Sequence, residues 1–148
     1  MTVELISVYQ ANGDVKNGKD PDVILTLWNL LCERGDDVNI SHKEVPSMRD
    51  HCDFVANRPY RDWYLIRNAD NQIVGACYIS KQGEIGIQIF KAYWRRGFAS
   101  AALRQLMERS WRGGDRLLAN INPRNAASVG LFKKFGFELL QHTYAKEF

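Results

Sequence analysis

The run Ile87-Gln88-Ile89-Phe90-Lys91-Ala92-Tyr93-Trp94-Arg95-Arg96-Gly97-Phe98-Ala99-Ser100 changes character twice. It starts as an apolar stretch of strand type, passes through a basic turn holding one glycine, and ends on small residues that open a helix. The helix is read from Ala99, Ala102, Leu103, Leu106 and Met107, which recur at i, i+3, i+4, i+7 and i+8 and so share one face. A junction of this kind suits an anion. The first amides of a helix have no internal partner, and the helix dipole places partial positive charge on them. Arg95 and Arg96 add charge-assisted donors. Gly97 lets the backbone approach a phosphate closely, while Ala99 and Ser100 keep the first turn uncluttered.

Upstream of this run, Trp63 to Ile66, Ile73 to Ile79 and Glu84 to Phe90 read as strands, with Asp70-Asn71 as a tight turn between the first two, and together they predict an antiparallel meander. Val3 to Tyr9 predicts an earlier strand, and the Gly-, Asn- and Asp-rich stretch from Ala11 to Asp20 a loop. Val23, Leu27, Leu30 and Leu31 predict a helix over Asp22 to Arg34, stopped by Gly35. A polar connection from Asp36 to Glu44 leads to a second helix around Ser47 to Ala56, with Ser47 as its cap and Pro59 beyond its end. Downstream, Gly113-Gly114 closes the amphipathic helix, and Leu117 to Ile121 reads as a strand. A helix carrying Ser128, Leu131, Phe132 and Phe135 on its buried face then stops at Gly136, and Phe137 to Tyr144 suits a final strand. The prediction is an α/β fold with a mixed, mostly antiparallel central sheet and about four flanking helices, as a single domain over residues 1–148.

Composition agrees with that reading. In 148 residues, 45% hydrophobic and 25% charged side chains make an ordinary globular balance. A net charge of +3 is too small to point to nucleic acid without a concentrated basic face, so no nucleic-acid partner is expected. The longest apolar runs, such as Ile73 to Cys77, fall far short of the ~20 residues that span a bilayer. The start, Met1 to Leu5, has neither the basic head nor the apolar stretch of a secretory signal, so a cytoplasmic protein with no membrane partner is expected. Cys32, Cys52 and Cys77 lack CxxC spacing, which argues against disulfides and against a zinc site, and no metal is expected.

The basic turn resembles the phosphate loop of the GNAT superfamily of N-acetyltransferases, whose pattern Gln/Arg-x-x-Gly-x-Gly/Ala is matched by Trp94-Arg95-Arg96-Gly97-Phe98-Ala99 except at Trp94. The resemblance continues in Asn122-Pro123-Arg124-Asn125-Ala126-Ala127-Ser128 and in Leu131-Phe132-Lys133-Lys134-Phe135-Gly136-Phe137, and the order of elements fits the same fold. It implies that acetyl-coenzyme A is the cosubstrate. Arg95, Arg96, Gly97, Phe98, Ala99 and Ser100 would then hold the pyrophosphate, Ile87, Gln88 and Ile89 would offer backbone groups to the pantetheine arm, and Asn125 would contact that arm. The alternative for Asn125 is a plain helix cap. Because the family grips pyrophosphate through backbone amides, Trp94 in the first position leaves the cofactor reading intact.

Acetyl transfer to an amine needs the amine neutral and the departing thiolate stabilised. In relatives that acetylate protein amino termini, a Glu would stand at Asn120 and a Tyr at Phe132; neither residue here can move a proton in those roles. Glu84, at the start of the strand beside the cofactor, is the candidate base, with an ordinary strand-end carboxylate as the alternative. Tyr144 and Ser128 are candidate proton donors. Polar aromatics gather between His42 and Tyr64, and of these His42, Tyr60 and Trp63 are candidate acceptor contacts, although histidines such as His42 and His51 often only satisfy loop backbone. The expected partner is a small primary amine, an amino sugar by preference, acted on by a monomer or homodimer. Two other readings stay open: a protein or peptide N-acetyltransferase, and an acyl-coenzyme A sensor that has lost its catalytic groups.

Overall fold

The structure, a computed structural model, describes residues 2–9, 20–34, 44–110 and 116–148. Strands β1 (Glu4–Ser7), β2 (Tyr60–Arg67), β3 (Ile73–Ser80) and β4 (Ile85–Ile89) form an antiparallel sheet in the order β1-β2-β3-β4. Helices α1 (Pro21–Cys32), α2 (Met48–Ala56), α3 (Phe98–Ser110) and α4 (Ala126–Lys134) cover its two faces. Caps place the helix starts. The Asp20 carboxylate accepts the Asp22 amide at 3.0 Å ahead of Pro21, and the Ser47 hydroxyl accepts the Asp50 amide at 3.1 Å. In the β2–β3 turn the Asn68 side-chain oxygen accepts the amides of Asp70 and Gln72, and Asn71 takes the left-handed conformation at φ 60°.

Alternation along the strands sorts side chains between two cores. Val23, Leu27 and Leu30 of α1 and Val55 of α2 pack on Val8, Tyr9, Trp63, Leu65 and Ala76. On the opposite face, Phe98, Ala102, Leu103 and Leu106 of α3 and Phe132 of α4 pack on Ile66, Cys77, Ile79 and Ile85. Burial pushes the Cys77 thiol up to about 12 against a smaller pull from Arg109, so this cysteine is an inert part of the core.

Two predicted strands differ. Leu117, Ala119 and Ile121 do turn inward with strand periodicity, but the segment pairs with the sheet at one parallel bridge, Glu84 with Leu118. There the Ile85 amide donates to the Leu118 carbonyl at 2.7 Å and the Leu118 amide to the Gly83 carbonyl at 2.9 Å. The final strand over Phe137 to Tyr144 does not form: from Glu138 onward the chain is exposed, with Leu139 at 75% and Leu140 at 62%. Strand propensity counts only against a pairing surface, and no sheet edge takes up this segment among the described residues. The predicted loop residues from Ala11 to Lys19, the helix stops Gly35 and Gly113-Gly114, and most of the polar connection up to His42 lie outside the described residues. Among the described residues, no helix is long and apolar enough to cross a membrane, and no cluster of three or more His, Cys, Asp or Glu could hold a metal.

Candidate active site

The register of β3 with β4 decides what β4 can offer. The Ser80 amide donates to the Glu84 carbonyl and the Phe90 amide to the Val74 carbonyl, so the even-numbered residues from Glu84 to Phe90 spend their backbone groups on β3. Ile85, Ile87 and Ile89 therefore turn their amides and carbonyls to the outer edge. Ile85 meets Leu118 there; beyond that bridge no backbone bond joins β4 to the following segment among the described residues. The result is a row of peptide groups leading towards the basic turn, open among the described residues except at the Ile89 carbonyl, which accepts the Trp94 indole N–H at 2.7 Å. Gln88 is the correction within the predicted set: its backbone pairs with Ala76, and its side-chain amide donates to the Leu30 carbonyl of α1.

A single 3-10 turn, Lys91–Tyr93, links β4 to the turn ahead of α3. Arg95 and Gly97 both take positive φ, 62° and 82°. At Gly97 a β-carbon would add strain, which is the physical reason for glycine there. The first bond inside α3 runs from the Ala101 amide to the Gly97 carbonyl at 3.1 Å, so the amides of Phe98, Ala99 and Ser100 have no carbonyl one turn back. Phe98 is buried and meets Tyr93 edge-on, which anchors the turn, whereas Arg95 and Arg96 are exposed beside it. Sequence reasoning missed Lys134 here. At the end of α4, its ammonium lies 3.4 Å from the Ser100 hydroxyl and adds a third cation to the α3 N-terminus. Its place in the second motif was the available signal.

Asn125 caps α4, its side-chain oxygen accepting the Ser128 amide at 3.2 Å, so the plain capping role is realised. Ser128 is half-buried in the first turn of α4. Glu84 is half-buried at the closed end of the open edge, its backbone locked to Ser80 at both N–H and C=O. Tyr144 is 91% exposed and touches His142, so it has no walls around it and is not assembled with Glu84. His42 lies outside the described residues.

On the α1–α2 face, an aromatic row crosses the sheet. Tyr78 lies over Gly86 of β4 so closely that a β-carbon on Gly86 would sit 2.2 Å from its ring. Tyr60 stacks on Tyr78 at 3.8 Å between centroids, and Trp63 meets Tyr60 edge-on at 4.8 Å. Burial, reinforced by Tyr78, raises the Tyr60 hydroxyl far above its usual range, with Arg34 opposing. Tyr60 and Trp63 also line a cleft of about 900 Å³ with Tyr9, Arg58 and Lys81, where the Arg58 guanidinium sits 4.1 Å over the Tyr9 ring. His51 takes no part: it is buried, bonded to the Ile24 carbonyl at 3.0 Å, and ties α2 to α1.

An open strand edge, a glycine turn and an uncapped helix start in this order coincide with a family comparison: the Acetyltransferase (GNAT) domain matches residues 32–138. The chain belongs to the GNAT acetyltransferase family. It is 30% identical over 108 residues to the L-amino acid N-acetyltransferase AaaT of Escherichia coli (strain K12), a match covering 65% of this chain and 66%, just under two thirds, of that protein. Among solved structures, a spermidine N-acetyltransferase from Vibrio cholerae in complex with CoA and spermine superposes with a TM-score of 0.72 at 12% identity, over 99% of this chain and 87% of that one. The putative acetyltransferase yncA from Salmonella typhimurium, solved with its cofactor acetyl-CoA, gives 0.64 at 14% identity over 93% and 79%. At such identities the likeness is one of fold.

Proposed function

We propose that this protein is an acetyl-coenzyme A-dependent N-acetyltransferase acting on the primary amine of a small molecule. The observation that carries the reading is the edge of β4, open at both peptide groups of Ile87 and at the Ile89 amide, running into the amides of Phe98, Ala99 and Ser100 with Arg95, Arg96 and Lys134 around them. Peptide groups in an extended row suit the two amides of a pantetheine arm, and the helix start suits its diphosphate. The residues present therefore fit the cosubstrate, which supplies an acetyl thioester. Asn125 keeps its amide N–H groups for the same arm while its oxygen caps α4.

Glu84 is the proposed base: it belongs to the same strand face as Gly86, beneath the Tyr78 ring, where it can take a proton from the incoming ammonium directly or through water. Ser128 is the proposed donor to the departing sulfur. For the acceptor, the cleft beside Tyr60 and Trp63 carries Arg58, Arg61, Lys81 and Arg109 against Glu4 and Asp62. That excess of cations disfavours a polyamine and favours an amine that bears a carboxylate, so an α-amino acid is proposed ahead of the amino sugar expected from the sequence. The 30% identical relative, named for L-amino acids, supports the same choice.

The test is thiol release from acetyl-coenzyme A across amino acids, amino sugars, polyamines and peptides. Turnover confined to amino acids is expected. Turnover on polyamines alone would overturn the acceptor, and tight coenzyme binding without turnover on any amine would overturn the enzyme in favour of a sensor.

A further inference from the structure

Trp94 occupies the one position where the phosphate turn departs from its family pattern, and the structure gives the departure a consequence. The indole is 54% exposed, yet its Nε1–H donates to the Ile89 carbonyl at 2.7 Å. By the register of β4, that carbonyl belongs to the outward row of peptide groups, beside the amide of Ile89 and both groups of Ile87. An exposed indole N–H can bond water at no cost, so this bond does not rescue a buried donor. It closes the end of an otherwise open strand edge. The turn is shaped to allow it: Trp94 has extended backbone, φ −63° and ψ 153°, after Lys91–Tyr93, and the ring folds back five residues along the chain.

We propose that Trp94 is a latch on the cofactor edge. In the free protein its indole holds the Ile89 carbonyl, the acceptor that an amide N–H of the pantetheine arm would use, and it swings outward when that arm enters. The inference rests on the reading of β4 as the pantetheine strand. An arm that must displace the indole binds more weakly by the fraction of molecules in which the latch is open. Removing the latch therefore strengthens binding, where loss of an ordinary contact residue weakens it.

The experiment is calorimetric titration of the full chain with coenzyme A, comparing wild type with Trp94→Phe, which keeps the ring and removes the donor. Tryptophan emission is followed in parallel. The exposed position makes both proteins foldable, which circular dichroism checks. Expected is an affinity about 2- to 10-fold tighter in Trp94→Phe, the range of one net hydrogen bond. A coenzyme-induced emission change should appear in wild type and be lost in the variant. Equal or weaker binding by Trp94→Phe, or an emission change that survives it, overturns the latch. The underlying reading fails separately, through wild type showing no coenzyme binding at all, or through Gly97→Val binding as tightly as wild type.

Discussion

The region proposed for the cosubstrate and the region proposed for the acceptor are built from different material. At the β4–α3 end the groups proposed to meet a ligand are peptide amides and carbonyls, set by register, by the positive φ of Gly97 and by the start of α3. On the α1–α2 face the proposed contacts are side chains, Tyr60, Trp63 and Arg58, held by stacking on Tyr78 and by a cation over a ring. A backbone site tolerates many residue types so long as the geometry survives, and it leaves a short spaced motif in the sequence. A side-chain site is assembled from scattered positions and leaves no motif.

The sharpest way to break this comparison is at the backbone end. Arg96→Ala combined with Gly97→Val removes a cation and strains a residue at φ 82°; coenzyme binding is expected to be lost in calorimetry, whereas Arg96→Ala alone should retain measurable affinity. Next comes Glu84→Gln, expected to lower kcat by about 10²- to 10⁴-fold while coenzyme affinity stays unchanged, measured by thiol release and titration. At the side-chain end, Arg58→Ala should raise KM for a carboxylate-bearing acceptor by about tenfold, the scale of one charge-assisted hydrogen bond, with kcat little altered. Gly86→Ala should cost about 1–3 kcal/mol in urea unfolding, because the Tyr78 ring has to leave its place. The smallest effect is chemical: in native protein a thiol reagent should modify exposed Cys32 and leave Cys77 untouched, since burial raises that thiol to about 12.

The legible part of the molecule follows the same division. Helical spacing at Val23, Leu27 and Leu30, the Ser47 cap and the strand runs before Phe90 located α1, α2 and the meander, because local periodicity and capping chemistry act over a few residues. The glycine turn between β4 and α3 was legible for the same reason. Long-range pairing was not: nothing local in Leu117 to Ile121 says that its pairing stops after Leu118, and nothing in Phe137 to Tyr144 says that no partner awaits it. Gln88 sits inside the motif, and only register reveals that its backbone is committed to β3. Lys134 reaches Ser100 across 34 positions, and Tyr78 covers Gly86 across a hairpin, so both escaped a reading by neighbours in sequence.

The parallel bridge between Glu84 and Leu118 acts as an end stop. On the proposed reading of β4 it limits how deep a linear arm would slide along the strand, and Ile85 to Ile89 would serve as a ruler of about 14 Å at 3.4 Å per residue. Shifting that bridge by two residues towards α3 would shorten the ruler by about 7 Å, half its length, and would carry the reacting end of the arm away from Glu84 without altering any residue proposed to hold phosphate.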